Sequence, residues 1–240
     1  MQTQDVVVPV GAGLMKSYLA LPDTVEPRPA VIVLQEIFGV NAEMRRITEL
    51  LASAGYVALA INYYHRSDPD LDVPYDEAGM QRGFAAAKQT SRATYREDLG
   101  AAITWLNQRS DVASGRIATW GFCMGGSVAF YSATLPGVKA AVSFYGGSIA
   151  SPFGSGEPAA LTDSAAVQAP LLLAFGGRDH YISAAQIEQI ESTLQQAGKV
   201  FELVVYPEQD HGFFRQSSKA FGTPDVADAW QRVQGFLERV

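Results

Sequence analysis

Arg116-Ile117-Ala118-Thr119-Trp120-Gly121-Phe122-Cys123-Met124-Gly125-Gly126 is a short apolar run that ends in a glycine-flanked cysteine. Residues 116–120 read as a buried strand and residues 124–135 as a helix, so the chain must pass between them within a Gly-x-Cys-x-Gly-Gly turn. A turn that tight lifts Cys123 above the sheet edge in a strained backbone conformation. Glycines two residues to either side remove the Cβ atoms that would collide there. The position is also a helix N-terminus, whose partial positive charge favours a thiolate. The pattern is a nucleophile elbow with sulfur in place of a serine hydroxyl, and the amide of Met124 would face a developing oxyanion. The same glycines could merely let a helix pack closely on a sheet, with Cys123 as a small buried hydrophobe. The surrounding elements decide between the two.

Outward from this turn, β-branched apolar runs alternate with segments of helical period, the pattern of an α/β chain. Strands are expected at residues 5–10 and 14–21, joined as a hairpin through Gly11-Ala12-Gly13, then at 30–35, 57–61, 116–120, 139–144, 171–175 and 201–206. Val31-Ile32-Val33-Leu34 and Leu171-Leu172-Leu173-Ala174 are apolar at every position, as strands covered on both faces must be. Helices are expected at 41–54, 92–108, 124–135, 183–197 and 224–240, the last with proline in its first turn. The fold class is therefore an eight-stranded, mostly parallel sheet with helices on both faces, in a single domain over residues 1–240. Residues 65–75 and 146–158 fit no regular element and read as surface loops, the second overhanging the sheet edge that holds Cys123.

A cysteine nucleophile needs a base, and the base needs an orienting partner. Of three histidines, only His211 follows the final strand; His180 comes directly after the seventh, and His65 lies in a polar loop. Asp179 follows Phe175-Gly176-Gly177-Arg178 at a strand's carboxyl end, which gives the chain order nucleophile, acid, histidine. Asp210 is the rival acid, poorly placed beside the histidine it would have to bond. Asp179 could instead cap the next helix, and His211 could be an ordinary loop residue. Glu36, just past the strand at 30–35, belongs to the same sheet edge as Cys123, where an ionised carboxylate needs a partner. The amide of Ile37 is the candidate second oxyanion donor.

Composition narrows the function classes. The 18 basic and 25 acidic residues leave a net charge of −7, against broad contact with nucleic acid or an anionic membrane. One cysteine excludes an internal disulfide and a multi-thiol zinc site. No leader-like or membrane-spanning run is visible, so a cytoplasmic protein is expected. No metal-ligand spacing or phosphate loop appears, and no cofactor is expected. A monomer is the default, with an oligomer not excluded.

Taken together, Gln35-Glu36-Ile37-Phe38-Gly39-Val40-Asn41, the cysteine elbow, Gly177-Arg178-Asp179 and His211-Gly212-Phe213-Phe214-Arg215 resemble the dienelactone hydrolases (carboxymethylenebutenolidases) of the α/β-hydrolase superfamily, over nearly the whole chain. The resemblance implies a cysteine-dependent hydrolase that opens a small anionic lactone to a dicarboxylic acid, a step of aromatic-compound degradation. It implies a resting thiol bonded to Glu36, which is displaced when substrate binds and takes the thiol proton. It also implies arginines that hold the substrate carboxylate: Arg215, and Arg82 by its spacing before Cys123. Tyr145, at the end of the sixth strand, is a candidate pocket residue. The 146–165 segment is longer and richer in Gly, Ser and Pro than a dienelactone-specific member would have, which leaves open another ester or a thioester on the same triad. A ligand receptor on this fold would not need Glu36, Cys123, Asp179 and His211 together. A redox thiol would need no oxyanion loop.

Overall fold

Strand β1 (Gln2–Val10) turns through Gly11-Ala12 into β2 (Gly13–Leu21), with Val10 paired to Gly13. The strands that follow are β3 (Arg28–Leu34), β4 (Val57–Ile61), β5 (Val112–Phe122), β6 (Ala140–Phe144), β7 (Leu171–Gly176) and β8 (Phe201–Tyr206). In the computed structural model, which describes residues 1–239, they form one sheet in the order β1-β2-β4-β3-β5-β6-β7-β8. The pairs β1–β2 and β2–β4 are antiparallel; every pairing from β4 to β8 is parallel. The all-apolar runs are fully buried, Val31 to Leu34 without any exposed surface, because helices cover the sheet.

The helices are α1 (Ala42–Ser53), α2 (Glu77–Ala87), α3 (Arg92–Asn107), α4 (Met124–Ser132), α5 (Ala184–Gln196) and α6 (Pro224–Leu237). Their starts follow local chemistry. Asn41 accepts from the Met44 amide, Ser91 and Ser183 form capping boxes with Thr94 and Gln186, and Pro224 opens α6. Two elements have no counterpart in the sequence expectation: α2, and a 3₁₀ helix at Ala160–Ala166 that overlaps the end of the long 146–165 segment. The buried face of α2 is Gly79, Gly83, Ala86 and Ala87, so no stripe of large apolar residues announces it. Strand β5 begins at Val112, before the expected residue 116, and α4 ends at Ser132 rather than 135.

The parallel order sends the carboxyl ends of β3, β5, β7 and β8 to one edge. Beneath that edge, Trp120 and Phe122 of β5 pack with Phe144 and Phe214, and Trp120 stacks on Trp230 at 5.7 Å. Phe213 and Phe214 are buried in this aromatic layer and pin the loop after β8. Among the described residues, no helix is long and apolar enough to cross a membrane.

Candidate active site

Cys123 stands between β5 and α4 with φ 54° and ψ −119°, a conformation an L-residue holds only when its surroundings enforce it. The enforcement is visible in the glycines. A Cβ on Gly121 would lie 1.9 Å from the Gly125 carbonyl oxygen, and one on Gly125 would lie 2.2 Å from that of Leu34. The Cys123 amide donates to the Phe144 carbonyl at 3.1 Å, tying the turn to β6. Met124 opens α4, so its N–H lies in the first turn, where helix amides lack an intrahelical acceptor.

Asp179 and His211 come together from the ends of β7 and β8. The Nδ1 of His211 meets Asp179 Oδ2 at 2.7 Å, and the other carboxylate oxygen accepts the Tyr181 amide at 2.8 Å. The Asp179 side chain is fully buried. The imidazole packs edge-on between Tyr145 and Tyr181, with ring centroids 5.1 and 5.0 Å away. Burial works against its charge, yet the nearby Cys123 sulfur and the hydrogen-bonded Asp179 outweigh it and raise the His211 pKa to about 10. The three residues named from the sequence thus form a connected row, sulfur to imidazole to carboxylate.

Glu36 lies at the same edge, fully buried, but its oxygens are engaged elsewhere. Arg215 donates to it through Nε at 2.9 and 3.1 Å and through Nη2 at 2.6 Å, and the Tyr75 hydroxyl donates at 2.6 Å. The Arg215 guanidinium also sits 4.6 Å over the Tyr75 ring. Burial, then Glu36, push the Tyr75 phenol well above its ordinary range, so it stays a donor. The arrangement expected of a resting thiol, Cys123 bonded to Glu36, is not the one found. Tyr75 and Tyr181 were not singled out in the sequence, where a loop tyrosine gives no sign of its partner.

These groups border a cleft of about 290 Å³ shared by Cys123, Met124, His211, Arg215, Ile37 and Phe38. One wall comes from α2 through Met80, Phe84 and Ala87, and another from the 146–158 loop, including Ser148 and Ser151. Arg82 is not brought to the cleft. It projects from the outer side of α2 into a two-point ion pair with Asp68, both bonds 2.8 Å. Tyr145 is buried beside the site rather than on the cleft wall, with φ 42°, and burial raises its phenol well above the ordinary range. A larger hollow, about 470 Å³, lies across β1 and β2 and holds none of these residues. Among the described residues, no group of three His, Cys, Asp or Glu side chains is placed to hold a metal ion.

The family model described as the dienelactone hydrolase family matches residues 15–240. The chain belongs to the dienelactone hydrolase family. A Synechocystis relative named "Putative carboxymethylenebutenolidase" is 38% identical over 223 residues, 92% of this chain and 90% of that relative. A Bradyrhizobium relative, 29% identical over 92% of this chain and 88% of its own length, is named "Probable 2-oxo-3-(5-oxofuran-2-ylidene)propanoate lactonase". Among solved structures, a Klebsiella pneumoniae protein titled as a putative dienelactone hydrolase superposes with a TM-score of 0.90 at 27% identity, over 100% of this chain and 99% of that one. This dienelactone hydrolase family member is accordingly an α/β-hydrolase that acts on an ester or lactone.

Proposed function

We propose that this protein hydrolyses its ester or lactone with Cys123 as nucleophile, His211 as proton carrier and Asp179 as the group that orients His211. The observation that carries the reading is the His211 ring, bonded to Asp179 at 2.7 Å and lining the same cleft as Cys123; the nearby sulfur and Asp179 favour its protonated form. A thiolate so paired attacks the carbonyl carbon, and the amides of Met124 and Ile37 donate to the oxygen on which negative charge develops. The C–O bond then breaks; the leaving oxygen departs as alcohol with the imidazolium proton, or, from a lactone, as a tethered enolate that then takes that proton, so that His211 is neutral in either case. Water attacks the thioester and gives its proton to His211. Release of the acid restores the thiolate. Glu36 is the buried carboxylate available to exchange a proton with the thiol once its bond to Arg215 is broken.

The substrate we assign is a small anionic lactone of the dienelactone type, opened to a dicarboxylate of the maleylacetate type. Arg215 at the cleft supports this, since a guanidinium holds a carboxylate through two bonds. So does the Bradyrhizobium relative, whose name describes a lactone bearing a propanoate. A substrate carboxylate would have to replace Glu36 on Arg215. A second reading, an uncharged ester or thioester cleaved by the same triad, is favoured by that occupied arginine and by the placement of Arg82 outside the cleft.

Steady-state hydrolysis of cis- and trans-dienelactone beside p-nitrophenyl acetate, for wild type and Cys123→Ala, separates these readings. Turnover of dienelactone that vanishes in the variant is the expected result. Cys123-dependent turnover of the simple ester alone selects the second reading. Equal activity with and without the thiol would remove Cys123 as nucleophile.

A further inference from the structure

Met80, Phe84 and Ala87 recur at helical spacing on α2, so they form one stripe. Ala87 is buried and Met80 half-buried against the core, yet all three side chains also line the cleft. Gly83 turns the helix's small side to the sheet edge, where an added Cβ would lie 2.4 Å from the Ile37 carbonyl oxygen. The close approach aims the neighbouring stripe into the cleft above Cys123, beside Ile37, Phe38 and Met124. Phe84 is left 46% exposed at the rim, where a phenylalanine gains little unless something covers it. Charge is absent from this wall: the charged side chains of the cleft, His211 and Arg215, come from the loop after β8 and already hold carboxylates. Arg82, the one cation of α2, turns outward to Asp68.

We propose that the Met80–Phe84–Ala87 stripe is a subsite for an apolar arm of the substrate, an alkyl or aryl substituent on the ester or lactone, and that Phe84 sets the preference for it. The inference rests on Cys123 being the nucleophile and adds a substituent that a bare dienelactone lacks. Each methylene laid on this wall strengthens transition-state binding about fourfold until the cleft is full.

Two measurements test it. For p-nitrophenyl acetate, butyrate and hexanoate, the hexanoate-to-acetate ratio of kcat/KM exceeds about tenfold in wild type and falls at least about fivefold in Phe84→Ala. Gln81→Ala, on the exposed side of the same helix, keeps the ratio. A flat series, or a ratio untouched by Phe84→Ala, overturns the subsite while Cys123-dependent turnover leaves the nucleophile in place. Hydrolysis that persists in Cys123→Ala overturns the nucleophile itself. The second measurement needs no turnover, because Cys123 is the only thiol in the chain. Its sulfur bonds to the methylene of iodoacetamide or iodoacetanilide as iodide leaves. The anilide should react faster than the amide in wild type, relative to free cysteine, and lose that advantage in Phe84→Ala; equal ratios in both proteins count against the subsite.

Discussion

With burial opposing it and the Cys123 sulfur and Asp179 favouring it, the His211 imidazolium persists to about 10, against about 6.5 in an unfolded chain. The folded protein thus holds this proton more tightly. The stability it contributes is fully present below about 6.5 and is lost as pH rises through about 10. An NMR titration of the ring should find a midpoint near 10 in wild type and clearly lower in Cys123→Ala and in Asp179→Asn. A midpoint left unmoved by Cys123→Ala would mean that the sulfur does not act on the ring. If the imidazolium also protonates the leaving group, kcat/KM falls as pH passes about 10. At this scale the sequence was readable where position alone decides: Cys123, Asp179 and His211 each lie just past the carboxyl end of an expected strand. Tyr75 was not, because its role is a bond to Glu36, 39 positions away, that only the folded loop creates. Arg82 was misplaced for the same reason, since spacing cannot tell which side of a helix an arginine leaves from.

Helix α2 shows how an element can escape sequence reading and still shape the cleft. Periodicity detects large apolar residues facing a core, whereas α2 meets the body of the protein through glycines and alanines. Its readable signals were the Asp76 N-cap, which accepts the Gly79 amide at 2.7 Å, and the alanine run before Lys88. Central strands such as β3 and β7 were legible because burial on both faces writes itself as runs of Val, Ile, Leu and Ala. Gly83→Ala should push α2 away from the Ile37 carbonyl, costing about 1–3 kcal/mol and lowering kcat/KM through the displaced Ile37 amide. Gly100→Ala is the contrast: an exposed position within α3 with nothing near the added methyl. It should stabilise the fold by about 0.4–1 kcal/mol. Urea denaturation of the two variants beside wild type would read opposite signs; equal destabilisation would mean that the tight approach of α2 is not what distinguishes them.

Across the whole molecule, the pair Glu36–Arg215 joins residues 179 positions apart, the end of β3 to the loop after β8. Few side chains bind such distant parts of the chain at the sheet edge, and this pair is unevenly buried: Glu36 has no exposed side-chain surface, while Arg215 keeps 18%. The asymmetry fixes what each substitution does. Arg215→Met strands a buried carboxylate with only the Tyr75 hydroxyl, which should cost about 3–5 kcal/mol. At roughly 2–4 °C per kcal/mol for a chain of this size, Tm falls by about 10 °C. Glu36→Gln leaves a guanidinium that can reach water and an amide that still accepts from Tyr75, so it should cost only about 1–2 kcal/mol. The double variant should then be more stable than Arg215→Met alone, because removing the carboxylate relieves the stranded charge. Chemical denaturation of the four proteins gives the coupling directly. Strictly additive costs would mean that the two groups stand apart in solution, and the substrate carboxylate would then find Arg215 free without displacing anything.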